Sequence, residues 1–313
     1  MSSISTLSSS LNFSCINSSS NSISHSNILI YYQNVRGLNT KLIQLRNSIL
    51  CCPYDFICLS ETWLSSSVLD AEFCPNHLQV IRTDRNMHKM TVTKGGGVLL
   101  ACRREFALQP IDLTSKGYNS LRYSELLAVK CSINYFNIYV VVIYVQPKAT
   151  IEEFELIFHI LANITESNNH NVLIVGDFNL PDYSSNLSLP VTSNRKISSL
   201  FNFLNFCNYK QYNNVNNINE RCLDLVIGSF YCSVDKCDDS LVDEDVHHPS
   251  LIISKTQRGK KTNSISHSGI VNAHWNFRQA DYPNLYKEIM KINWTELNSI
   301  SDINIASGIF YDK

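Results

Sequence analysis

A chain of 313 residues, 44% of them hydrophobic, has room for one large domain or two small ones and enough apolar residues for a sizeable core. A formal charge of −1 argues against a generic polybasic nucleic-acid-binding protein, and no apolar run reaches the roughly 18 residues of a membrane-spanning helix. Local basic patches could still bind an anionic partner. The candidate patches, each also typical of a solvated surface, are Arg82/Arg85/Lys89/Lys94, Arg103/Arg104 and Lys255 to Lys261.

The 11 cysteines show neither a CxxC pair nor the Cys/His spacing of a zinc site. Several of them, among them Cys58, Cys102 and Cys131, lie inside apolar runs. We interpret them as reduced, buried thiols of an intracellular protein, and a disulfide framework is the less favoured alternative.

Residues 1–26 are dominated by Ser and Asn and contain no Asp, Glu, Lys or Arg. Such a segment buries too little apolar area to offset the entropy of ordering it. It also lacks the cationic start of a signal peptide and the Arg of a transit peptide. We therefore expect a disordered leader that precedes the folded domain.

From Asn27 onward, strand and helix patterns alternate. Thr150 and Glu153 have capping-box spacing at the start of the clearest helix, which carries an apolar stripe at helical spacing. Two further helices are predicted at 40–50 and 197–206. The predicted strands are 28–34, 55–60, 78–82, 96–102, 123–133, 136–145, 171–176, 222–228 and 249–254. Many strands, several without a helical crossover, indicate two packed sheets with helices outside them, an α/β sandwich.

The strand pattern ends near Lys255. Residues 255–269 are basic and rich in Ser, as in a linker. The tail from Trp275 to Lys313 has helical stretches, such as Tyr286 to Ile292, but too few apolar residues to form a core.

The segment Val172 to Asn179 places an Asp and an Asn, two residues apart, at the end of an apolar strand. Residues two apart on extended backbone point the same way, so Asp177 and Asn179 can converge on one polar site. An Asp can bind a metal or orient a water, and an Asn can hold a phosphoryl oxygen without adding charge. The alternative is a strand that simply closes in an Asx-type turn.

Other polar residues also lie at or within the ends of predicted strands. They are Asn34, Glu61, Tyr144, Asp224, His247 and His248. Any one of them would ordinarily be a loop residue or, for Tyr144, a strand aromatic. Asp224 is the most informative, because a buried carboxylate in an apolar strand needs a partner, for which a His is the natural candidate.

Six segments carry a resemblance to a known family: Gln33–Leu38, Ser60–Leu64, Gly95–Val98, Tyr144–Pro147, Gly176–Asn179 and Leu223–Val226. In this order they resemble the endonuclease/exonuclease/phosphatase superfamily. More narrowly, they resemble the apurinic-type endonuclease domain of non-LTR retrotransposon polyproteins. The resemblance covers about residues 27–255 and implies a four-layer α/β/β/α sandwich of the DNase I-like type. In relatives, the region after it connects the nuclease to a reverse transcriptase, so residues 256–313 resemble a linker and the truncated start of that region.

The resemblance also implies site roles in a Mg²⁺- or Mn²⁺-dependent hydrolysis of a phosphodiester. Glu61 would be the principal metal ligand and Asn34 would add an amide oxygen. Asp177 would orient or deprotonate the attacking water, with Asn179 holding Asp177 or a phosphate oxygen. Tyr144 would donate to the phosphate or, as a phenolate, favour the leaving oxygen. One His would also donate to the phosphate, and Asp224 would favour the charged form of that His.

The last motif departs from the family pattern Ser-Asp-His-x-Pro. Aligned on the proline, this chain has Asp245-Val246-His247-His248-Pro249, so Val246 takes the place of the acidic residue and His247 falls on the catalytic position. With the loop shifted by one residue, His248 is instead catalytic and Asp245 still reaches the metal. The sequence leaves both registers open.

The predicted function is a metal-dependent DNA endonuclease that nicks a target site for retrotransposition, with DNA as partner and a nuclear location that follows from this target. The alternatives are another phosphodiesterase or phosphatase of the superfamily, or a decayed copy that binds nucleic acid without cutting it. Val246 favours the decayed copy. The glycines Gly95 to Gly97 do not form a phosphate loop, because no helix with Lys-Ser/Thr follows them, and they indicate a turn or bulge.

Overall fold

The fold is described from a computed structural model, in which residues 27–85, 95–133, 136–164, 171–184, 194–256 and 281–291 are described. The expected leader at 1–26, the lysines Lys89 and Lys94, and most of the expected linker lie outside these residues. Within them, no helix is both long and apolar enough to cross a membrane. The cysteines of the same residues are free thiols, most of them buried.

The strands and helices follow the predicted order, with shifts of a few residues at their ends. The strands are β1 Asn27–Asn34, β2 Phe56–Ser60, β3 Leu78–Thr83, β4 Val98–Arg103, β5 Ala107–Pro110, β6 Ser124–Ile133, β7 Phe136–Val145, β8 Asn171–Asp177, β9 Lys210–Gln211, β10 Asp224–Gly228, β11 Ser233–Lys236 and β12 Leu251–Thr256. The helices are α1 Leu42–Ile49, α2 Asp70–Phe73, α3 Ile151–Ala162, α4 Arg195–Cys207 and α5 Tyr282–Lys291.

The strands form two six-stranded mixed sheets. One has the order β11-β12-β1-β2-β4-β3 and the other β5-β6-β7-β8-β10-β9. Each sheet contains one parallel pair, β1 with β2 and β7 with β8, and its other neighbours are antiparallel. The carboxyl ends of each parallel pair therefore lie at one edge of its sheet.

Three apolar clusters separate four layers. The first lies between the two sheets, the second between the β7-β8 sheet and helices α3 and α4, and the third between the β1-β2 sheet and α1. Side chains alternate between these clusters along each strand, as the strand period of two requires. Tyr32 faces the other sheet, for example, and Tyr31 faces α1. The predicted α/β/β/α sandwich is thus confirmed.

Helix α3 begins where the capping-box spacing predicts. The hydroxyl of Thr150 accepts a hydrogen bond from the backbone N–H of Glu153. The Glu153 carboxylate accepts from the amide of Tyr123 at 2.6 Å and from the hydroxyl of Ser124 at 2.8 Å. These bonds fix α3 against the start of β6, because a buried carboxylate must be satisfied by hydrogen-bond donors from neighbouring residues.

Some elements differ from the prediction. The short strands β5, β9 and β11 and the single-turn helix α2 were not predicted, because two to four residues carry too little periodicity. The strand predicted at 96–102 begins only at Val98, since Gly95, Gly96 and Gly97 all have positive φ and form a turn before it.

The predicted basic patches are also partly wrong. Arg85 and Lys255 are buried, and Arg82 and Arg103 are paired with carboxylates. These four cationic side chains therefore interact with other residues of the chain, and the spacing of basic residues in the sequence does not show this.

Gly176 on β8 leaves no room for a side chain against β7. A Cβ at this position would overlap the carbonyl oxygen of Ile143, its partner in the parallel register. We expect Gly176→Ala to lower the free energy of unfolding by about 3 kcal/mol or more, because backbone rather than a flexible side chain must move. Gly228→Ala on β10, whose added Cβ would lie 3.2 Å from its nearest neighbour, is the control and should cost less. Urea unfolding measures both, and equal losses would contradict this explanation.

Lys255 is a buried cation at the end of the sandwich opposite the strand ends of β1 and β8. Its Nζ lies 3.8 Å and 4.3 Å from the ring centroids of Phe136 and Phe230 and donates to Asn171 Oδ1 at 2.9 Å. Burial lowers the pKa of Lys255 to about 8. The charged form therefore destabilises the fold below that pH, and the penalty disappears as pH rises from the folded pKa toward the unfolded one.

We expect Lys255→Met to have a larger free energy of unfolding than the wild type at about pH 7, although the contacts of the lysine with the two rings offset part of this gain. The difference should shrink by about 2 kcal/mol by about pH 9.5. Urea unfolding of both proteins at the two pH values measures it. A difference that is constant or grows with pH would show that Lys255 is not the group responsible.

Candidate active site

The polar residues at the strand ends belong to the face of each strand that looks into the space between the sheets. Along β8, Leu173 and Val175 lie in the intersheet cluster, and Asp177 is the next residue of the same alternation. The same parity selects further polar residues on the other central strands. They are Asn34 on β1, Ser60 on β2, Tyr144 on β7 and Asp224 on β10.

Strand register brings these residues together. Asp177 is paired with Tyr144 on one side and with Asp224 on the other, and Asn34 is paired with Ser60. Because the two sheets pack face to face, both sets meet at one edge of the sandwich. Residues far apart in sequence thus share one small polar site.

Asp177 is fully buried, and both oxygens of its carboxylate accept hydrogen bonds. Its Oδ2 accepts from the side-chain amides of Asn34 and Asn179, both at 3.0 Å. Its Oδ1 accepts from the backbone N–H of Asn179 at 2.9 Å, which is the Asx turn considered as the alternative for this segment. The turn and the site are therefore the same feature.

The pKa of Asp177 lies well above its ordinary value. Burial is the main cause, and the neighbouring Asp224 carboxylate adds to it. The charge of His248 and the amide of Asn179 act in the opposite direction.

His248 is the histidine that reaches the site. Its Nδ1 lies 3.0 Å from Asp224 Oδ2 and its Nε2 lies 3.8 Å from Asp177 Oδ2. A carboxylate has no proton to give, so Nδ1–H must donate to Asp224. Burial alone would lower the pKa of His248, but Asp224, then Asp177 and Glu61, outweigh it and raise that pKa to about 9. The imidazole is therefore positively charged at neutral pH.

A hydrogen-bond chain holds Asp224 from the other side. The Tyr32 hydroxyl donates to Asp224 Oδ1 at 2.7 Å, and Ser60 Oγ lies 2.9 Å from the same hydroxyl. Since Tyr32 uses its proton on Asp224, the Ser60 hydroxyl donates to Tyr32. This chain fixes the carboxylate that orients His248.

His247 and Asp245 lie on the outer side of the same turn. His247 is half-buried, and its Nδ1 is 3.3 Å from the side-chain amide of Asn219. Asp245 accepts from the backbone N–H of His247 and forms an ion pair with Arg36 at 2.9 Å. Burial acts against it, but the His247 amide and Arg36 hold the pKa of Asp245 below its ordinary value. Val246 is 60% exposed.

Glu61 extends into the site from the end of β2 on a strained backbone. Both Glu61 and Trp63 have positive φ, in the left-handed region that is unfavourable for residues with a Cβ. The carbonyls of Gly96 and Gly97 accept from the amides of Trp63 and Thr62 and so hold this segment. Glu61 itself accepts from Trp63 Nε1 at 3.0 Å and from the Asn34 amide at 3.3 Å.

Tyr144 lies at the end of β7 and is almost fully buried. Burial, and then the carboxylates of Glu61 and Asp177, raise the pKa of its phenol far above the ordinary value. The hydroxyl is therefore neutral across the physiological range and is available as a hydrogen-bond donor.

Sequence analysis missed several residues of this edge. Tyr32 and Ser60 support Asp224, and Arg85 forms a buried ion pair with Glu125 next to Tyr144. The signal was present, because Tyr32, Ser60 and Glu125 share the inward parity of their strands. The partner of each came from another strand or from a loop, which periodicity does not report.

The donor set fits a divalent cation. Carboxylate oxygens of Glu61 and Asp177 lie within 4.8 Å of each other and of a ring nitrogen of His248, which as a charged donor would stand beside a cation rather than bind it. The carboxyl groups of Glu61, Asp177 and Asp224 outnumber the one charged imidazole that they face, so a cation bound at this edge would be stabilised by its neighbours. Asn34 directs its amide nitrogen at two of these carboxylates, and its Oδ1 accepts from the backbone N–H of Arg36 at 3.2 Å.

Solved structures share this fold at low sequence identity. The endonuclease domain of TRAS1, a telomere-specific non-LTR retrotransposon, is 11% identical, covers 73% of this chain and 97% of its own, and has a TM-score of 0.51. The human Nocturnin catalytic domain with bound sulfate is 14% identical over 74% and 94%, with a TM-score of 0.52. The AP endonuclease LMAP from Leishmania major is 13% identical over 74% and 88%, with a TM-score of 0.57.

A search of curated proteins found no match. The sequence model of the Endonuclease/Exonuclease/phosphatase family matches residues 32–251, which include every strand from β2 to β11 and each residue of the site described above. With the two-sheet sandwich and the polar edge at its strand ends, this match shows that the chain belongs to the Endonuclease/Exonuclease/phosphatase family.

Proposed function

We propose that the chain is a divalent-metal-dependent phosphodiesterase whose substrate is DNA. The observation that carries the proposal is the convergence of Glu61, Asp177 and His248 within 4.8 Å, at a buried edge where Asp224 keeps His248 charged. A phosphodiester is anionic, and its hydrolysis builds further negative charge, so the site needs both a cation and fixed donors.

In this proposal Glu61 would hold the metal through carboxylate oxygens, the ligand type that suits Mg²⁺ or Mn²⁺, while the Asp177 carboxylate beside it acts on the attacking water. A bound metal would offset charge on the phosphate and make the attacking water more acidic. The side-chain amide of Asn34 donates to the carboxylates of Glu61 and Asp177 and so orients both. Asp245 is engaged with Arg36 and the turn amides, and we assign it to holding the His248 turn rather than to the first set of metal ligands.

The chain's own residues supply the remaining steps. Asp177, held by Asn34 and Asn179, orients the attacking water and accepts its proton. His248, charged and held by Asp224, donates to a phosphate oxygen, and Tyr144 donates a neutral O–H to the phosphate or the leaving oxygen. Asn179 also donates to the carbonyl of Val145, which fixes it against β7. The choice of His248 over His247 follows from burial and from the Asp224 bond.

DNA as substrate is supported by the retroelement-like segments Gln33–Leu38, Ser60–Leu64 and Tyr144–Pro147. Residues 27–255 would be the catalytic unit, and a chromosomal target would require entry into the nucleus. The family name covers endonucleases, exonucleases and phosphatases, so other phosphate substrates must be compared with DNA.

Nicking of supercoiled plasmid by the purified chain tests the function directly. We expect nicking with Mg²⁺ or Mn²⁺, none with EDTA, and a loss of about 10²-fold or more in Asp177→Asn, because the water loses its base. Abasic DNA, RNA and phosphoinositide substrates run in parallel identify the substrate class. No cleavage of any of them by a folded protein would overturn the enzyme reading and favour a binding-only copy.

The two neighbouring histidines give a matched pair of variants. We expect His248→Gln to lose about 10²- to 10⁴-fold in kcat, because the charged donor is gone. His247→Gln should stay within a few-fold of the wild type. Plasmid nicking rates at saturating metal measure both, and the reverse ranking would show that the turn presents His247 to the substrate.

Removal of the Glu61 carboxylate separates metal binding from folding. We expect Glu61→Gln to raise the Mg²⁺ concentration for half-maximal nicking by about tenfold or more, since one carboxylate ligand is lost. Isothermal titration with Mn²⁺ gives an independent readout. Glu72→Gln, at an exposed position of helix α2, is the control and should leave the metal requirement unchanged. An unaltered metal requirement in Glu61→Gln would remove Glu61 from the ligand set.

A further inference from the structure

A second buried ion pair lies at the same edge, outside the residues assigned to the reaction. Arg85 Nε lies 2.7 Å from Glu125 Oε1, and Nη2 lies 3.4 Å from Oε2, so the guanidinium meets the carboxylate with two nitrogens. The side chains are only 5% and 3% exposed. Glu125 is the residue of β6 that pairs with Tyr144 on β7.

Arg85 touches both sides of the site. Its Cζ lies 5.9 Å from the centroid of the Tyr144 ring. On the other side, it packs under the glycine turn so closely that a Cβ on Gly96 would overlap the guanidinium. The carbonyls of this turn hold the amides of Thr62 and Trp63, directly after Glu61. Arg85 therefore connects the Tyr144 strand in one sheet with the Glu61 segment in the other.

Stability alone does not account for this pair. Two charges lose hydration on burial, and a buried pair replaced by apolar side chains of similar size is often neutral or more stable. The number of carboxylates at this edge gives a better reason for the Arg85–Glu125 pair. Without Arg85, Glu125 would add a fourth carboxylate beside Glu61, Asp177 and Asp224 and compete for the same cation.

We propose that Arg85 is a positioning residue, which through Glu125 and the glycine turn holds Tyr144 and Glu61 in their reacting arrangement and keeps the Glu125 carboxylate out of the metal site. This assignment rests on the proposed hydrolytic function. It predicts that the planar, two-nitrogen geometry of the guanidinium is needed for kcat as well as its charge, since both the glycine turn and Glu125 contact the guanidinium.

The test uses the full chain and three variants. The first is a double variant that carries both Arg85→Met and Glu125→Met, the second is Arg85→Lys, and the third is the control Arg82→Met. Arg82 lies on β3, three residues before Arg85, and is also paired, with Asp70 and Asp84, but it donates to the backbone carbonyls of Ser65 and Val68 rather than to the site. Urea unfolding, kcat, KM and the half-maximal Mg²⁺ concentration are measured for each protein on supercoiled plasmid.

We expect the double variant to keep a stability near that of the wild type while kcat falls about 10- to 100-fold with KM within a few-fold, because misplacement of reacting groups acts on the transition state. Arg82→Met should lose stability without losing kcat. In a Tyr144→Phe background the double variant should lower kcat much less, because the two changes act on one unit.

A double variant that folds and keeps the wild-type kcat overturns the assignment, and so does full additivity with Tyr144→Phe. Should the double variant not fold, Arg85→Lys decides. A lowered kcat at unchanged KM supports the assignment, and wild-type kcat overturns it. Inactivity of the wild-type chain is a separate result, since it overturns the proposed function and this assignment with it.

Discussion

Two carboxylates, those of Asp177 and Asp224, lie side by side on neighbouring strands in a region closed to solvent. Like charges at such a distance in a low dielectric cannot both be tolerated without compensation. The structure supplies it through His248 between them, the hydroxyl of Tyr32 behind Asp224, and the amides of Asn34 and Asn179 on Asp177. The edge of the sandwich is built around the need to hold these two groups.

The same compensation joins the two sheets. Tyr32 and Asn34 come from the β1-β2 sheet, whereas Asp177 and Asp224 come from the β7-β8 sheet. On the other side of Tyr144, Arg85 bonds across to Glu125 in the same way. Apolar contacts fill most of the space between the sheets, but at this edge directional hydrogen bonds fix the spacing. Directional bonds suit a site in which displacements of about 1 Å matter for catalysis.

Backbone strain accumulates at the same place. Six described residues other than glycine have positive φ, and four of them border the site, namely Arg36, Glu61, Trp63 and Asn179. Each costs of order 1 kcal/mol, and such residues persist only where the surroundings fix them. Here the bonds from the glycine turn and the Asx turn do so. Strain, buried like charges and a buried ion pair are all features that a sequence optimised for stability alone would lack, and their concentration here is the physical argument for function.

Local pattern was enough to place the strongly alternating strands, the start of α3 and the polar residue at the end of each central strand, because period and capping act over a few neighbouring residues. The family resemblance of the sequence also indicated the sandwich. Long-range packing decided which histidine contacts Asp224. It is His248 rather than His247, since one residue of register in a turn depends on the bonds that Asp245 and Asn217 make to it. Long-range packing likewise decided that Arg85 and Lys255 are buried partners of Glu125 and of two aromatic rings. Those contacts join residues distant in the chain, and no local pattern encodes them.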